Sequence, residues 1–218
     1  MTLKLYYHPL SSFCWKALIA LYENDTPFEK VLVNLGEPES RLAFLKLWPV
    51  GQFPAIKDET RGRFVPESSI IVEYLDDHYP GRTRFIPEDR DKARQVRMRD
   101  RFFDQHIHIH MQKITGDRIR PEGARDPFGV EQARARLATA IGMIEENIGE
   151  GWVMGEDYTL ADVSASPALF LCQQDHAAQR CVSEDPCLSR TPENPAVLCA
   201  DADGGGAVFP PVPSGNRS

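Results

Sequence analysis

The segment Ser11-Ser12-Phe13-Cys14 puts two hydroxyls and a thiol at a point where the hydropathy period changes. Before it, Leu3 to Tyr7 reads as a short strand that stops at His8-Pro9. After it, Cys14, Ala17, Leu18 and Leu21 recur at helical spacing and give one buried face. The junction is therefore a strand, a turn and a helix N-terminus, where free backbone N–H groups and the positive end of the helix dipole favour an anion. A hydroxyl at that place can donate a hydrogen bond to an incoming thiolate, which favours the charged form and lowers the thiol's pKa. It can equally do no more than cap the helix. Cys14 falls one turn inside the helix on its apolar face, the position of a packed, inert thiol.

Two further pairings carry chemistry. In Gln52-Phe53-Pro54 the X-Pro bond is the one kind of peptide bond that adopts the cis form at modest cost; an ordinary strand-leading proline is the plainer reading. Glu67-Ser68 follows a hairpin pattern and precedes Ile70-Ile71-Val72-Glu73-Tyr74-Leu75. A serine hydroxyl with helix N-terminal N–H groups suits a carboxylate, and a neighbouring glutamate suits an ammonium. Taken alone, Pro66-Glu67-Ser68 is simply a good helix start. His106, His108 and His110 raise the question of a metal. On a helix only His106 and His110 share a face, and no H-E-x-x-H pattern supplies a further ligand, so no metal is expected.

The elements that must hold these groups follow from the pattern. Residues 1–80 read as β-α-β, an irregular link, then β-β-α. Phe28 to Leu35 is the second strand, Glu37 to Leu47 a weaker helix, and Trp48 to Ile56 a stretch in which two prolines forbid a helix. A hairpin turns around Thr60-Arg61-Gly62-Arg63, and Glu67 to Tyr79 is a helix with Ile70, Ile71, Tyr74 and Leu75 on one side. Beyond residue 88 the strand signals vanish. Asp89 to about Thr115 reads as one long helix, and Val130, Ala133, Leu137, Ile141, Ile144 and Ile148 mark an amphipathic helix of a bundle. Another helix starts near Thr159, where Thr159-Leu160-Ala161-Asp162 has the form of a capping box with Asp in place of Glu. The expected fold is an α/β thioredoxin-like domain followed by an all-α helical bundle. The expected boundaries are 1–81 for the first domain, 82–88 for a linker, 89–170 for the helical domain and 171–218 for an irregular tail.

With these three segments in place, the chain resembles the glutathione S-transferase family, over residues 3–80 closely and 89–170 in outline. The run from Leu5 to Leu21 is similar to the first strand and helix of serine-type members of the tau, zeta and theta-like kind. Where glutaredoxins hold C-x-x-C, this chain has S-x-x-C, which loses dithiol exchange and keeps the anion-stabilising site. The resemblance implies a transferase that adds the glutathione thiolate to a hydrophobic electrophile, with Ser11 activating the thiol; Ser12 is the next choice for that role and Cys14 the third. It implies glutathione contacts from Ser12, Gln52, Phe53, Pro54, Glu67 and Ser68, with the Phe53–Pro54 bond cis and Phe53 binding through its backbone. It also implies a homodimer, a role in detoxification and no metal. Two rival readings are a non-catalytic interaction module on the same fold and a glutathione-dependent thiol reductase using Cys14, which would need that thiol exposed and acidic.

The sequence departs from the family pattern in places. Trp48 stands where many members have asparagine before Pro49, a change expected to reshape the cleft floor. Phe13 separates Ser12 from Cys14, which argues against isomerase activity on maleyl compounds. No cation is evident for glutathione's glycine carboxylate; Arg41 and Lys46 are only near in sequence. The chain of 218 residues carries a net charge of −7 and a sequence pI near 5.4, which gives it no electrostatic reason to hold nucleic acid or an anionic membrane. No signal peptide and no membrane span are expected, and one cysteine in the first 171 residues points to a reducing compartment, the cytoplasm. From Leu171 to Ser218 the composition changes: four cysteines, six prolines, a triple glycine and no lysine. A shifted reading frame in a GC-rich gene is the reading that accounts for all of these.

Overall fold

The computed structural model describes residues 2–147 and 151–180. Four strands, β1 (Leu3–Tyr7), β2 (Glu29–Leu32), β3 (Ala55–Asp58) and β4 (Arg63–Pro66), form one sheet in the order β2-β1-β3-β4. β2 lies parallel to β1, whereas β3 is antiparallel to both β1 and β4. The register puts Leu5 opposite Ile56 and Ile56 opposite Val65, so an apolar row crosses β1, β3 and β4. Helix α1 (Ser12–Glu23) follows β1, α2 (Pro38–Leu47) follows β2, and α3 (Ser68–His78) follows the β3-β4 hairpin. This is the thioredoxin-like arrangement.

Packing follows the periodicity, with exceptions that matter for the site. Cys14, Ala17, Leu18 and Leu21 of α1 are all buried, as their spacing requires. On α3, Ile71, Val72 and Leu75 are buried, but Ile70 is 45% exposed and belongs to a different face from the one its neighbours suggested. Trp48 is not itself a lining residue of the cleft. It ends α2 and packs against the cluster of Val33, Phe44 and Ala55, together with Leu35, Phe53 and Phe64.

The helical half begins with α4 (Arg90–Phe102), whose N-cap Asp89 accepts from the backbone N–H groups of Asp91 and Lys92. The single long helix expected here is interrupted by a π-helical segment, Phe103–His108, before it continues as α5 (Ile109–Arg118). Phe103, Ile107 and His108 of this segment are buried. After α6 (Pro127–Asn147), the capping box at Thr159 is realised. The Thr159 N–H and hydroxyl both donate to Asp162 Oδ2, at 2.8 and 3.1 Å, and Asp162 Oδ1 accepts from the Val153 N–H.

Helix α7 (Leu160–Arg180) runs past Phe170, where the irregular tail was expected to begin. The stretch Cys172-Gln173-Gln174-Asp175-His176-Ala177-Ala178-Gln179-Arg180 has no glycine or proline to stop it. The chain divides into two compact units, Met1–Ala168 and Leu169–Ser218. Residues 181–218, on which most of the frameshift reading rests, lie outside the described residues.

Candidate functional site

Ser11 is held by the local chemistry of a helix start. Its backbone is extended, its side-chain oxygen accepts from the Cys14 N–H at 3.4 Å, and its N–H donates to the His8 carbonyl at 3.1 Å. It therefore caps α1, in keeping with the plainer reading. In capping, the hydroxyl oxygen accepts, and its proton, which also favours the Cys14 sulfur, can rotate to another acceptor. The same residue can cap the helix and donate into the cleft beside it.

That cleft, of about 620 Å³, brings the separated segments together. Ser11 lines it with Gln52, Phe53, Pro54, Glu67 and Ser68. The Phe53–Pro54 bond is cis, as expected from the sequence. Glu67 precedes α3 with φ of +70°, a conformation that side chains other than glycine adopt rarely. Ser68 opens the helix and is largely buried. Where a buried hydroxyl sits among the free N–H groups of a helix start, a carboxylate is the fitting ligand.

Ser12 is the exception. It lies in the first turn of α1, is 7% exposed and is not among the residues lining the cleft. The reason is helix geometry: the step from the cap to the next residue rotates its side chain away from the cleft. Cys14 is fully buried, and burial pushes its thiol up to about 11 against hydrogen bonds from Ser11 and the His8 backbone. A reductase nucleophile needs the opposite environment, so the structure sets Cys14 against that role.

The second wall comes from α4, the π-segment and α5. Arg101, Gln105, Ile109 and Gln112 line the cleft at spacings of four, four and three residues. The histidines divide. His106 is exposed beside Phe102, whereas His108 is fully buried, with its ring 4.8 Å from that of Phe13 and its Nε2 at 3.4 Å from the Ser164 carbonyl oxygen. Burial and the charge of Lys16 bring the His108 imidazole down to about 4, which keeps it neutral. Among the described residues no group of His, Cys, Asp and Glu could hold a metal. Nor is any helix among them long and apolar enough to cross a membrane.

Beneath the cleft lies an ionic cluster that periodicity did not reveal. Lys16, on the buried face of α1, has no exposed surface; its Nζ is 2.8 Å from Asp100, 2.8 Å from Asp104 and 3.0 Å from Ser69 Oγ. The Ser164 hydroxyl also donates to Asp100. Burial raises the Asp104 carboxyl, with the charge and hydrogen bond of Lys16 acting against it. One signal was available: a lysine directly before the buried pair Ala17-Leu18 must find carboxylates or remain at the surface. Arg41 and Lys46, considered for an anionic end of the ligand, do not line the cleft, whereas Arg101 does.

Comparison with known proteins adds the family. Residues 5–83 match the family described as glutathione S-transferase, N-terminal domain. The chain is 35% identical over 198 residues to Protein LigF of Sphingobium sp. (strain NBRC 103272 / SYK-6), covering 75% of this chain and 76% of that one. It is 29% identical over 146 residues to the glutathione S-transferase-like protein LUC7 of Fusarium sp, covering 66% of this chain and 64% of that one. A glutathione S-transferase from Methylobacillus flagellatus KT, solved with GSH bound, superposes with a TM-score of 0.72 at 24% identity, over 81% of this chain and 85% of that one.

Proposed function

Since the chain belongs to the glutathione S-transferase family, we propose that it binds glutathione in the 620 Å³ cleft and transfers the thiolate to an electrophilic small molecule. The observation that carries this reading is the convergence of Ser11, cis Phe53–Pro54 and Glu67-Ser68 on one cleft, from three segments separated in sequence.

Each group has a role suited to its chemistry. The Ser11 hydroxyl donates to the glutathione sulfur and favours the thiolate, helped by the N-terminal end of α1. Phe53 offers its backbone N–H and C=O to the cysteinyl part of the tripeptide, and Gln52 reaches toward the glycine end. Ser68 with the α3 N-terminus takes the γ-glutamyl carboxylate, and Glu67 takes the ammonium. The protein thereby supplies position and a lowered thiol pKa, and the sulfur supplies the nucleophile. Phe13, Leu35 and Ile109 offer apolar surface to the electrophile.

The fuller reading is a twofold dimer acting in detoxification in the cytoplasm. Its glutathione-binding domain spans residues 1–81, its linker 82–88 and its helical domain 89–170. The test is retention on immobilised glutathione followed by a panel of electrophiles. Ser11→Ala is expected to be retained but to conjugate about 10- to 1000-fold more slowly, the range for removing one donor to a developing or stabilised anion. Unchanged activity in Ser11→Ala, with activity lost in Ser12→Ala or Cys14→Ala, would take the role away from Ser11.

A further inference from the structure

Arg101 is the one cationic side chain among the described residues that line the cleft. Lys16 lies close by, but it is wholly buried and its ammonium is engaged by Asp100, Asp104 and Ser69. Two other arginines on α4 are also engaged: Arg94 pairs with Asp91 at 2.8 Å and Arg97 with Glu73 at 2.7 Å. Arg101 is exposed and, among the described residues, pairs with no carboxylate. The charges around it are acidic, since Glu67 and Asp104 line the same cleft. A ligand carboxylate entering there meets repulsion unless a cation offsets it.

The placement of Arg101 along the cleft is set by its neighbours. Asp104 Oδ2 accepts from Ser69 Oγ at 3.3 Å, and Ser69 directly follows Ser68, so this stretch stands at the N-terminus of α3. His108, further along, meets Phe13 instead. From Arg101 to Gln112 a helix rises about 16 Å. Arg101 therefore occupies the Glu67–Ser68 end of the wall, and Ile109 and Gln112 occupy the end where the electrophile enters.

Resting on the reading that glutathione occupies this cleft, we infer that Arg101 binds the γ-glutamyl carboxylate from the wall opposite α3. Ser68 and the helix N-terminus supply neutral donors on one side, and the guanidinium supplies the full charge on the other. Glu67 is then free to hold the ammonium without repelling the carboxylate bonded to the same carbon. A guanidinium suits this task because its planar fork of donors matches a carboxylate.

Calorimetry on the wild type and Arg101→Gln tests this with three tripeptides: glutathione, glutaryl-Cys-Gly, which lacks only the ammonium, and 4-aminobutyryl-Cys-Gly, which lacks only the γ-glutamyl carboxylate. Arg101 is exposed, so the substitution leaves the fold intact. The variant should bind glutathione and glutaryl-Cys-Gly about 10- to 100-fold more weakly, the loss expected for one charge-assisted bond. Its affinity for 4-aminobutyryl-Cys-Gly should match the wild type. Equal losses for all three ligands, or no loss for any, would overturn the assignment. So would a loss that persists with 4-aminobutyryl-Cys-Gly but disappears when the glycine carboxylate is amidated, since that would place Arg101 at the other end of the tripeptide. A wild type that binds none of the three overturns the glutathione reading itself, and the assignment of Arg101 with it.

Discussion

Among single residues, Ser11 joins two roles that look like alternatives in the sequence. Its oxygen caps α1 by accepting from Cys14 N–H, and the same geometry holds it on the wall of the cleft. Ser12 has the same side chain one position further on, but it faces the protein interior. One step along a helix separates a residue that lines the cleft from one that does not. Ser68 repeats the lesson on α3, where a mostly buried hydroxyl at the first helical position borders the cleft. Replacing Ser68 with Ala should weaken glutathione binding by about 1–3 kcal/mol, because a charged carboxylate loses a buried donor. Calorimetry should show this loss for glutathione, while the KM for the electrophile stays near the wild-type value. An unchanged glutathione affinity would remove Ser68 from the binding site.

Among the elements, those with a strong local code were legible in the sequence. The strand–turn–helix at Ser11, the hairpin around Gly62 and the capping box at Thr159 depend on neighbours within a few residues. The ionic cluster under the cleft was not legible, because Lys16 meets Asp100 and Asp104 across more than eighty residues of chain. The cluster ties α1 to α3 and α4, so it should act on stability as a unit. Lys16→Met leaves the buried Asp100 and the partly buried Asp104 without their cation and should cost about 3–5 kcal/mol in chemical denaturation. A loss under about 1 kcal/mol, the magnitude for an exposed pair, would show that the cluster is not buried as described.

The β3-β4 hairpin carries its own ionic anchor. Asp58 is fully buried in its side chain and accepts from Tyr74 and Tyr79 at 2.7 and 2.6 Å and from the Arg61 N–H at 2.9 Å. Burial alone would raise its carboxyl, but these bonds outweigh it and bring the group down to about 2. A depressed carboxyl stabilises the fold above the unfolded-state value, and the contribution is lost as pH falls from there through about 2. Removing both phenol hydroxyls, in Tyr74→Phe with Tyr79→Phe, should move acid unfolding to higher pH. An unchanged acid midpoint would show that Asp58 does not depend on them.

Across the chain as a whole, the proposed glutathione contacts other than Arg101 fall on or beside the sheet, α1 and α3, and Arg101 faces them from α4, which with α5 supplies the opposite wall. Among the described residues, those that line the cleft lie between Ser11 and Gln112. The proposed chemistry rests on this arrangement making a bound thiol more acidic through Ser11. The direct measurement is a thiolate absorbance titration of glutathione bound to the wild type and to Ser11→Ala. Bound glutathione should ionise at lower pH than free glutathione in the wild type, and the shift should largely disappear in Ser11→Ala while binding persists. A bound thiol that titrates like free glutathione in the wild type, or one that keeps its full shift in Ser11→Ala, would contradict this mechanism.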